Sequence, residues 1–277
     1  MNETIIHTAT DMCALPLARR LAAMLDRDPW ALREGDPLPH GWHSMLFNMP
    51  TRQSDLRKDG TVDLGVPLPD IGLPRLMLGG RQNRFASEIP IGARLQRETR
   101  HGEVQLKEGR SGRFALVKVE HRIFVEGEAE AAVVEHQDYV LRPASTGEAA
   151  PSAAIPVPIA AAGPHPTASR ELVPDERLLF RYSAITDNPH RIHYDLPYAT
   201  QDEGYPALVV NGSIPAMFLL EMYRQHTGRE PAAFSSRNVA PMLCGQPLTL
   251  KLLDEGRACR LWTEDARGRT TFDARAE

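Results

Sequence analysis

Cysteine is scarce in this chain, and the three present, Cys13, Cys244 and Cys259, are odd in number and widely scattered. That pattern excludes a disulfide framework and a cysteine-based metal site. A surplus of charge is also missing: the formal net charge is -4, and no Lys/Arg cluster stands out. Neither a nucleic acid nor an anionic membrane is therefore an expected partner. No apolar run approaches membrane-spanning length, so no membrane segment is expected. The first residues, MNETIIHTATDMCALPLARRLAAMLDRDP, carry acids early and lack a clean apolar core before a small-residue cleavage site. They do not read as a signal peptide, and a cytoplasmic protein is expected.

What remains is the composition of an ordinary globule, 42% hydrophobic and 25% charged over 277 residues. That length is long for one core and comfortable for two. Residues 143–169, PASTGEAAPSAAIPVPIAAAGPHPTAS, hold six prolines and nine alanines, with Glu148 the only formally charged residue. Such a stretch buries little large apolar surface and reads as a linker. It divides the chain into residues 1–142, a linker over 143–170, and residues 171–277.

In the first part, Leu15, Leu17, Leu21, Ala22 and Leu25 fall at helical spacing. Residues 50–70 read as loop. Segments near 83–89, 93–108, 112–125 and 130–141 alternate apolar and polar residues, and RFALVKVEHRIFVEG is rich in β-branched and aromatic residues. The second part begins with RLLFRYSAI, residues 177–185, taken as a strand. NGSIPAMFLLEMYRQH, residues 211–226, predicts a helix that is apolar on most sides. Strands are expected near 234–239, 246–253, 257–263 and 269–274. A helix apolar all round must be enclosed, and a curved antiparallel sheet would enclose it. Two α+β halves thus predict a double hot-dog, two antiparallel sheets each wrapped around a central helix.

The polar stretch between strand and helix carries the chemistry. In NPHRIHYD, residues 188–195, Asn188 suits a helix cap and Pro189 a first helical position. A short helix from Pro189 would bring His190, His193 and Tyr194 to neighbouring surfaces. Asp187 is close enough in sequence to approach either histidine, and a carboxylate beside an imidazole suits acid/base work near neutral pH. Asn211 and Gly212 precede the enclosed helix, whose unpaired N–H groups carry partial positive charge. A glycine there lets a carbonyl oxygen come close, as in an oxyanion hole. Three other readings compete: a solvated helix face, metal ligation by His190, His193 and Asp195, and plain capping by Asn211-Gly212. On the residues alone this is a candidate acid/base site.

RYSAITDNPHRIHYDLPYA, followed by GYPALVVNG, resembles the MaoC-like hydratase/dehydratase family. It is most similar to a branch holding type 2 hydroxyacyl-thioester dehydratases, mesaconyl-CoA hydratases and itaconyl-CoA hydratases. FSSRNVAPMLCGQPLTL (234–250) and GLPRLMLGGRQNRF (72–85) resemble the same branch. The resemblance implies a double hot-dog with a substrate-shaping first half and a catalytic second half. It implies an acyl-CoA thioester substrate, reversible hydration of its α,β double bond, and neither a metal nor a cofactor beyond the CoA of the substrate. A homodimer is the assembly held open.

The wider family's signature runs Asp-x-Asn-Pro-x-His. Aligning His193-Tyr194-Asp195 on its end puts Asn188 at the acid's position, with Asp187 adjacent. Aligning on Asn188-Pro189 leaves neither histidine in register. The resemblance thus implies His193 as catalytic histidine with Asp187 as its acidic partner, and His190 as the alternative. Asn188, Arg191 and Asn211 are candidate substrate contacts, and Gly212 matches the glycine whose N–H binds the thioester oxygen. A dicarboxylic substrate, itaconyl-CoA or mesaconyl-CoA, would require a cation in the acyl slot, for which Arg75, Arg81 and Arg84 are candidates. An (R)-3-hydroxyacyl-thioester dehydratase of fatty-acid synthesis and a non-catalytic thioester-binding protein are the rival readings. His40, His43 and His101 are expected to be surface or core residues.

Overall fold

The computed structural model describes residues 7–62, 71–73, 75–102, 104–109, 112–143 and 165–277. The first half holds strands β1 (His7–Met12), β2 (Arg75–Phe85), β3 (Arg94–His101), β4 (Gln105–Gly109), β5 (Gly112–Val125) and β6 (Val133–Arg142), with helix α1 (Leu15–Met24). The second holds β7 (Ala168–Leu172), α2 (Glu176–Ile185), α3 (Ile214–Thr227), β8 (Ala233–Asn238), β9 (Leu248–Asp254), β10 (Cys259–Asp265) and β11 (Thr270–Ala276). Ten strands run in the order β1-β3-β5-β6-β2-β8-β11-β10-β9-β7, and β4 pairs with β5 outside that row. The halves meet at one antiparallel seam, where β2 runs from Gly80 opposite Arg237 to Arg84 opposite Ala233. This is a double hot-dog.

Helix α3 is the reason for the wrapping. Every residue from Ile214 to Tyr223 is buried, so no face is left for water. Pro215 sits in its first turn and Gly228, at φ 67, ends it in the left-handed conformation that costs glycine least. Helix α1 buries Ala18, Leu21, Ala22 and Met24 in the same core.

Four expectations are corrected. Residues 177–185 form a helix, not a strand. Asp175 accepts the Leu178 N–H at 2.9 Å as its cap, and Leu179, Tyr182 and Ile185 recur at three-residue spacing on the buried side. The stretch 93–108 splits into β3 and β4, and the strand expected over 83–89 runs earlier, as β2. Ala168–Leu172 pairs with β9, so the second half begins inside the segment read as linker. Residues 144–164 of that linker lie outside the described residues.

Leu219 is fully buried in α3 at 0% exposure, so truncation there leaves a cavity on a helix that cannot reposition. Leu219→Ala is expected to lower stability by about 2–5 kcal/mol, read as a fall in the urea midpoint at unchanged slope. A midpoint equal to wild type would mean that the helix is not enclosed.

Candidate active site

A cavity of about 530 Å³ opens between the halves. Residues 43–62, with β2, β3, β5 and β6, form one side, and residues 186–193, 203–213 and 238–242 form the other.

The polar stretch folds as a chain of tight turns rather than a helix from Pro189. Asp187 takes φ 44, a left-handed conformation that Asp tolerates better than most residues. Asn188 donates its N–H to the Ser183 carbonyl at 2.9 Å, and its Oδ1 accepts the His190 N–H at 3.1 Å. That bond closes a local turn and is not the expected helix cap: the helical turn that follows is a single 3-10 turn, Arg191–His193, whose N-cap is His190. A first-half loop pins this turn from outside: the Arg191 N–H reaches the Asp59 carbonyl at 2.8 Å, and Gly60, at φ 85, lies so close to the Pro189 carbonyl that a Cβ would collide with it.

His193 is 7% exposed and lines the cavity. Its Nδ1 lies 2.7 Å from the Val209 carbonyl, which can only accept, so the proton sits on Nδ1 and Nε2 keeps its lone pair. Burial lowers its pKa, the Val209 bond opposes that, and His190 lowers it further, to about 4. The ring is thus a neutral base. His190 also lines the cavity, its ring edge-on to His193 with centroids 5.6 Å apart.

Asp187 does not orient His193. It is exposed where it lines the cavity and has no hydrogen bond to that ring, whose orientation comes from Val209. Asn188 is half-buried and lines the cavity beside it. Arg191 is outside the cavity lining: its Nε and Nη2 donate to Asp195 Oδ2 at 2.9 and 2.8 Å, and it stacks on Tyr198 at 4.1 Å. Because Asp195 is spent on that pair, His190, His193 and Asp195 do not converge as a ligand set. Among the described residues no three His, Cys, Asp or Glu side chains gather to hold a metal.

Asn211 and Gly212 sit where α3 meets the cavity. Asn211 Oδ1 accepts the Ser213 N–H at 3.1 Å, and its carbonyl accepts the Ile214 N–H at 2.9 Å. The Gly212 N–H has no partner among the described residues and lines the cavity, at the positive end of the helix. A Cβ at Gly212 would stand 2.6 Å from Asn238 Oδ1, so glycine is required by the packing of Asn238, whose Nδ2 donates to the Leu78 carbonyl.

The first half supplies a floor of polar side chains of which sequence reasoning named only Arg81, as a candidate cation, and His43, as a surface or core residue. Glu135, 4% exposed, accepts from Gln137 Nε2 at 2.8 Å, and lies 3.2 Å from His43 Nε2 and 3.4 Å from Arg81 Nε. Burial alone would raise its carboxyl, but Arg81 and His43 outweigh that and hold it well below the usual range. Thr99 and His121 pair at 2.9 Å, and burial pushes His121 down to about 4. His43 is thus buried, as expected, yet lines the cavity, whereas His40 stacks on Phe85 at 4.3 Å. Of the arginines named for the acyl slot, Arg81 lines the cavity, Arg84 is exposed, and the Arg75 side chain lies outside the described residues. The signal for the floor was strand parity: Glu135, Gln137 and Tyr139 share a face of β6 with Val133 and Leu141.

Comparison with known proteins agrees with this architecture. The family model for hydroxyacyl-thioester dehydratase type 2 matches residues 41–244. Mesaconyl-C(4)-CoA hydratase of Chloroflexus aurantiacus is 38% identical over 269 residues, covering 96% of this chain and 92% of that protein. Among solved structures, HtdX of Mycobacterium tuberculosis superposes with a TM-score of 0.69 at 18% identity, covering 98% of this chain and 99% of its own. A second M. tuberculosis protein, described as a double hotdog fold, superposes with a TM-score of 0.57 at 13% identity, covering 97% and 92%. With a family match across most of the chain and a full-length relative at this identity, the chain belongs to the hydroxyacyl-thioester dehydratase type 2 family and is an enoyl-CoA hydro-lyase.

Proposed function

We propose that the enzyme hydrates a short dicarboxylic enoyl-CoA, with mesaconyl-CoA or itaconyl-CoA as substrate. The observation that carries this reading is the full-length identity of 38% to mesaconyl-C(4)-CoA hydratase. The polar, arginine-bearing floor of the cavity supports it, because a fatty-acyl chain would instead call for an apolar wall.

In this reading the thioester carbonyl lies against the Gly212 N–H at the start of α3, which stabilises negative charge as it builds on oxygen. Water lies between Asn188 and Nε2 of His193. Nε2 takes a proton as the water oxygen bonds to the β-carbon, and the imidazolium returns that proton to the α-carbon. The Asn188 amide, with Oδ1 engaged on the His190 N–H, has its NH2 group available to hold the water oxygen. Asp187, exposed and unpaired with His193, is not needed to activate the ring. His190 raises the cost of charging it.

His193→Ala is expected to lower kcat by about 10²–10⁴-fold without loss of fold, whereas Asp187→Asn should keep activity within about tenfold of wild type. The reverse ranking would return the proton transfer to Asp187. A substrate panel followed by enoyl-thioester absorbance should show higher kcat/KM for mesaconyl- or itaconyl-CoA than for crotonyl-CoA, and poor use of octenoyl-CoA. A preference for octenoyl-CoA would assign the enzyme to fatty-acyl dehydration.

The pH dependence has a defined sign. The folded pKa of His193 is depressed from 6.5 to about 4, so between those values the unfolded chain takes up a proton that the folded one refuses. Stability is therefore intact above 6.5 and lost as pH falls toward 4, and His121 adds to it in the same direction. The acidic limb of kcat/KM should likewise stay flat through the ordinary histidine range and fall only toward about 4. An acidic limb with its midpoint near 6.5 would mean that His193 is not the base.

A further inference from the structure

Among the described residues, four arginines line the cavity: Arg57, Arg81, Arg97 and Arg142. Their surroundings differ in a way that singles out one. Arg57 is exposed on the loop that pins the catalytic turn. Arg142 is of opposite parity on β6 to Glu135, Gln137 and Tyr139, so it leaves from the other face of that strand. Arg81 has its counter-charge in Glu135, 3.4 Å away. Arg97 has none.

Arg97 stands on β3 directly opposite Ile123 of β5, two pairs along, and so on the same face, from Thr99 opposite His121. Both Ile123 and His121 line the cavity, so Arg97 faces it too. Its guanidinium lies over the Phe47 ring, 5.0 Å from the centroid, which fixes its plane by a cation–π contact. Two acids contribute attraction, but neither is available as a partner. Glu135 is spent on Gln137, His43 and Arg81. Asp11 accepts the Met12 and Phe47 backbone N–H groups at 2.7 and 2.6 Å.

As a result Nε and Nη2 of Arg97 are both buried and, among the described residues, both without a hydrogen-bond partner. A buried charged donor left unpaired is costly, and two on one group are rare in a native fold. These two N–H groups leave the same edge of the guanidinium in parallel, which is the fork that a carboxylate fits with both oxygens.

We propose that Arg97 recognises the distal carboxylate of the substrate through that fork, as the residue that sets specificity for a dicarboxylic acyl group. The proposal rests on the dicarboxylic reading above. The spacing suits it. Gly212 packs on Asn238, which is bonded to β2, and β3 lies three strands from β2, roughly 14 Å across the sheet. An extended arginine side chain reaching back toward a four-carbon acyl backbone spans such a gap, and a monocarboxylic chain of that length leaves the fork empty. Arg81 and Glu135 together are neutral, so the Arg97 charge on this floor is left for a ligand to balance.

The test is to measure kcat/KM of wild type, Arg97→Met and Arg97→Lys on mesaconyl-CoA, itaconyl-CoA and crotonyl-CoA. The better of the two dicarboxylic substrates should lose on the order of 10²–10³-fold in Arg97→Met, while crotonyl-CoA changes less than about threefold. Arg97→Lys keeps the charge but not the fork and should fall between them, with the loss again confined to dicarboxylic substrates. If Arg97→Met does not fold, the Arg97→Lys comparison alone decides. Equal losses on all substrates, or none on any, in an enzyme whose wild type prefers the dicarboxylic substrate would overturn the assignment and leave the proposed function standing. A wild type that prefers crotonyl-CoA would overturn both.

Discussion

The need to bury α3 on every side organises this protein. Ten consecutive buried residues leave no helical face for solvent, so the second-half strands must curve around it and the first half must close the remaining side. Gly41, at φ 91, shows how tight that closure is, since a Cβ there would run into Leu220. A helix enclosed along its length can offer chemistry only at an end. The N-terminal end opens on the cavity, and it is also the end with unpaired donors and positive partial charge. The demand of the core and the demand of an oxyanion are met by the same element.

The base is built by a similar economy. Val209 bonds through its N–H to the Ile192 carbonyl at 3.0 Å and through its carbonyl to His193 Nδ1. One backbone residue thus ties the catalytic turn to the segment leading into α3 and fixes the tautomer. A carbonyl in this role differs from a carboxylate: it orients the ring without stabilising the imidazolium strongly. Burial and His190 then keep the ring neutral, which suits the proposed role of accepting a proton from water and handing it on. Asp187, the acid that the sequence pattern put forward, is turned to the rim by its left-handed backbone, and Asn188 occupies the inward position.

Much of this was legible in the residues. The pattern of α3 and the last four strands could be read directly, and the grouping of His193, Asn188 and Gly212 came from the family resemblance. The misreadings have physical causes. Residues 177–185 look like a strand because Leu, Phe and Tyr crowd together, but the Asp175 cap and the three-residue recurrence of Leu179, Tyr182 and Ile185 decide for a helix. Arg191 was grouped with the site because it stands between two histidines, although consecutive residues in a tight turn point different ways and Asp195 takes it outward. The first-half floor was invisible for another reason. Glu135, Arg81 and Arg97 come from three strands that pairing brings to one wall, and His43 joins them from the 3-10 turn Trp42–Met45.

In the proposed mechanism, that wall gives the first hot-dog unit a part although the second holds the proton-transfer residues. A buried arginine is tolerated when an acid balances it, as Glu135 balances Arg81. A second arginine without its acid is a standing cost to the fold, and a sheet anchored on both sides by β1 and β5 can bear it because the strand cannot bend away. In the dicarboxylic reading the substrate removes that cost when it binds. Binding energy gained at a carboxylate remote from the double bond then holds the β-carbon against the water on His193, so attraction far from the reacting atoms is converted into orientation at them. A single enclosed helix could supply the donor and the base. It could not also supply a wall opposite them, and on the dicarboxylic reading that wall is what the other unit adds.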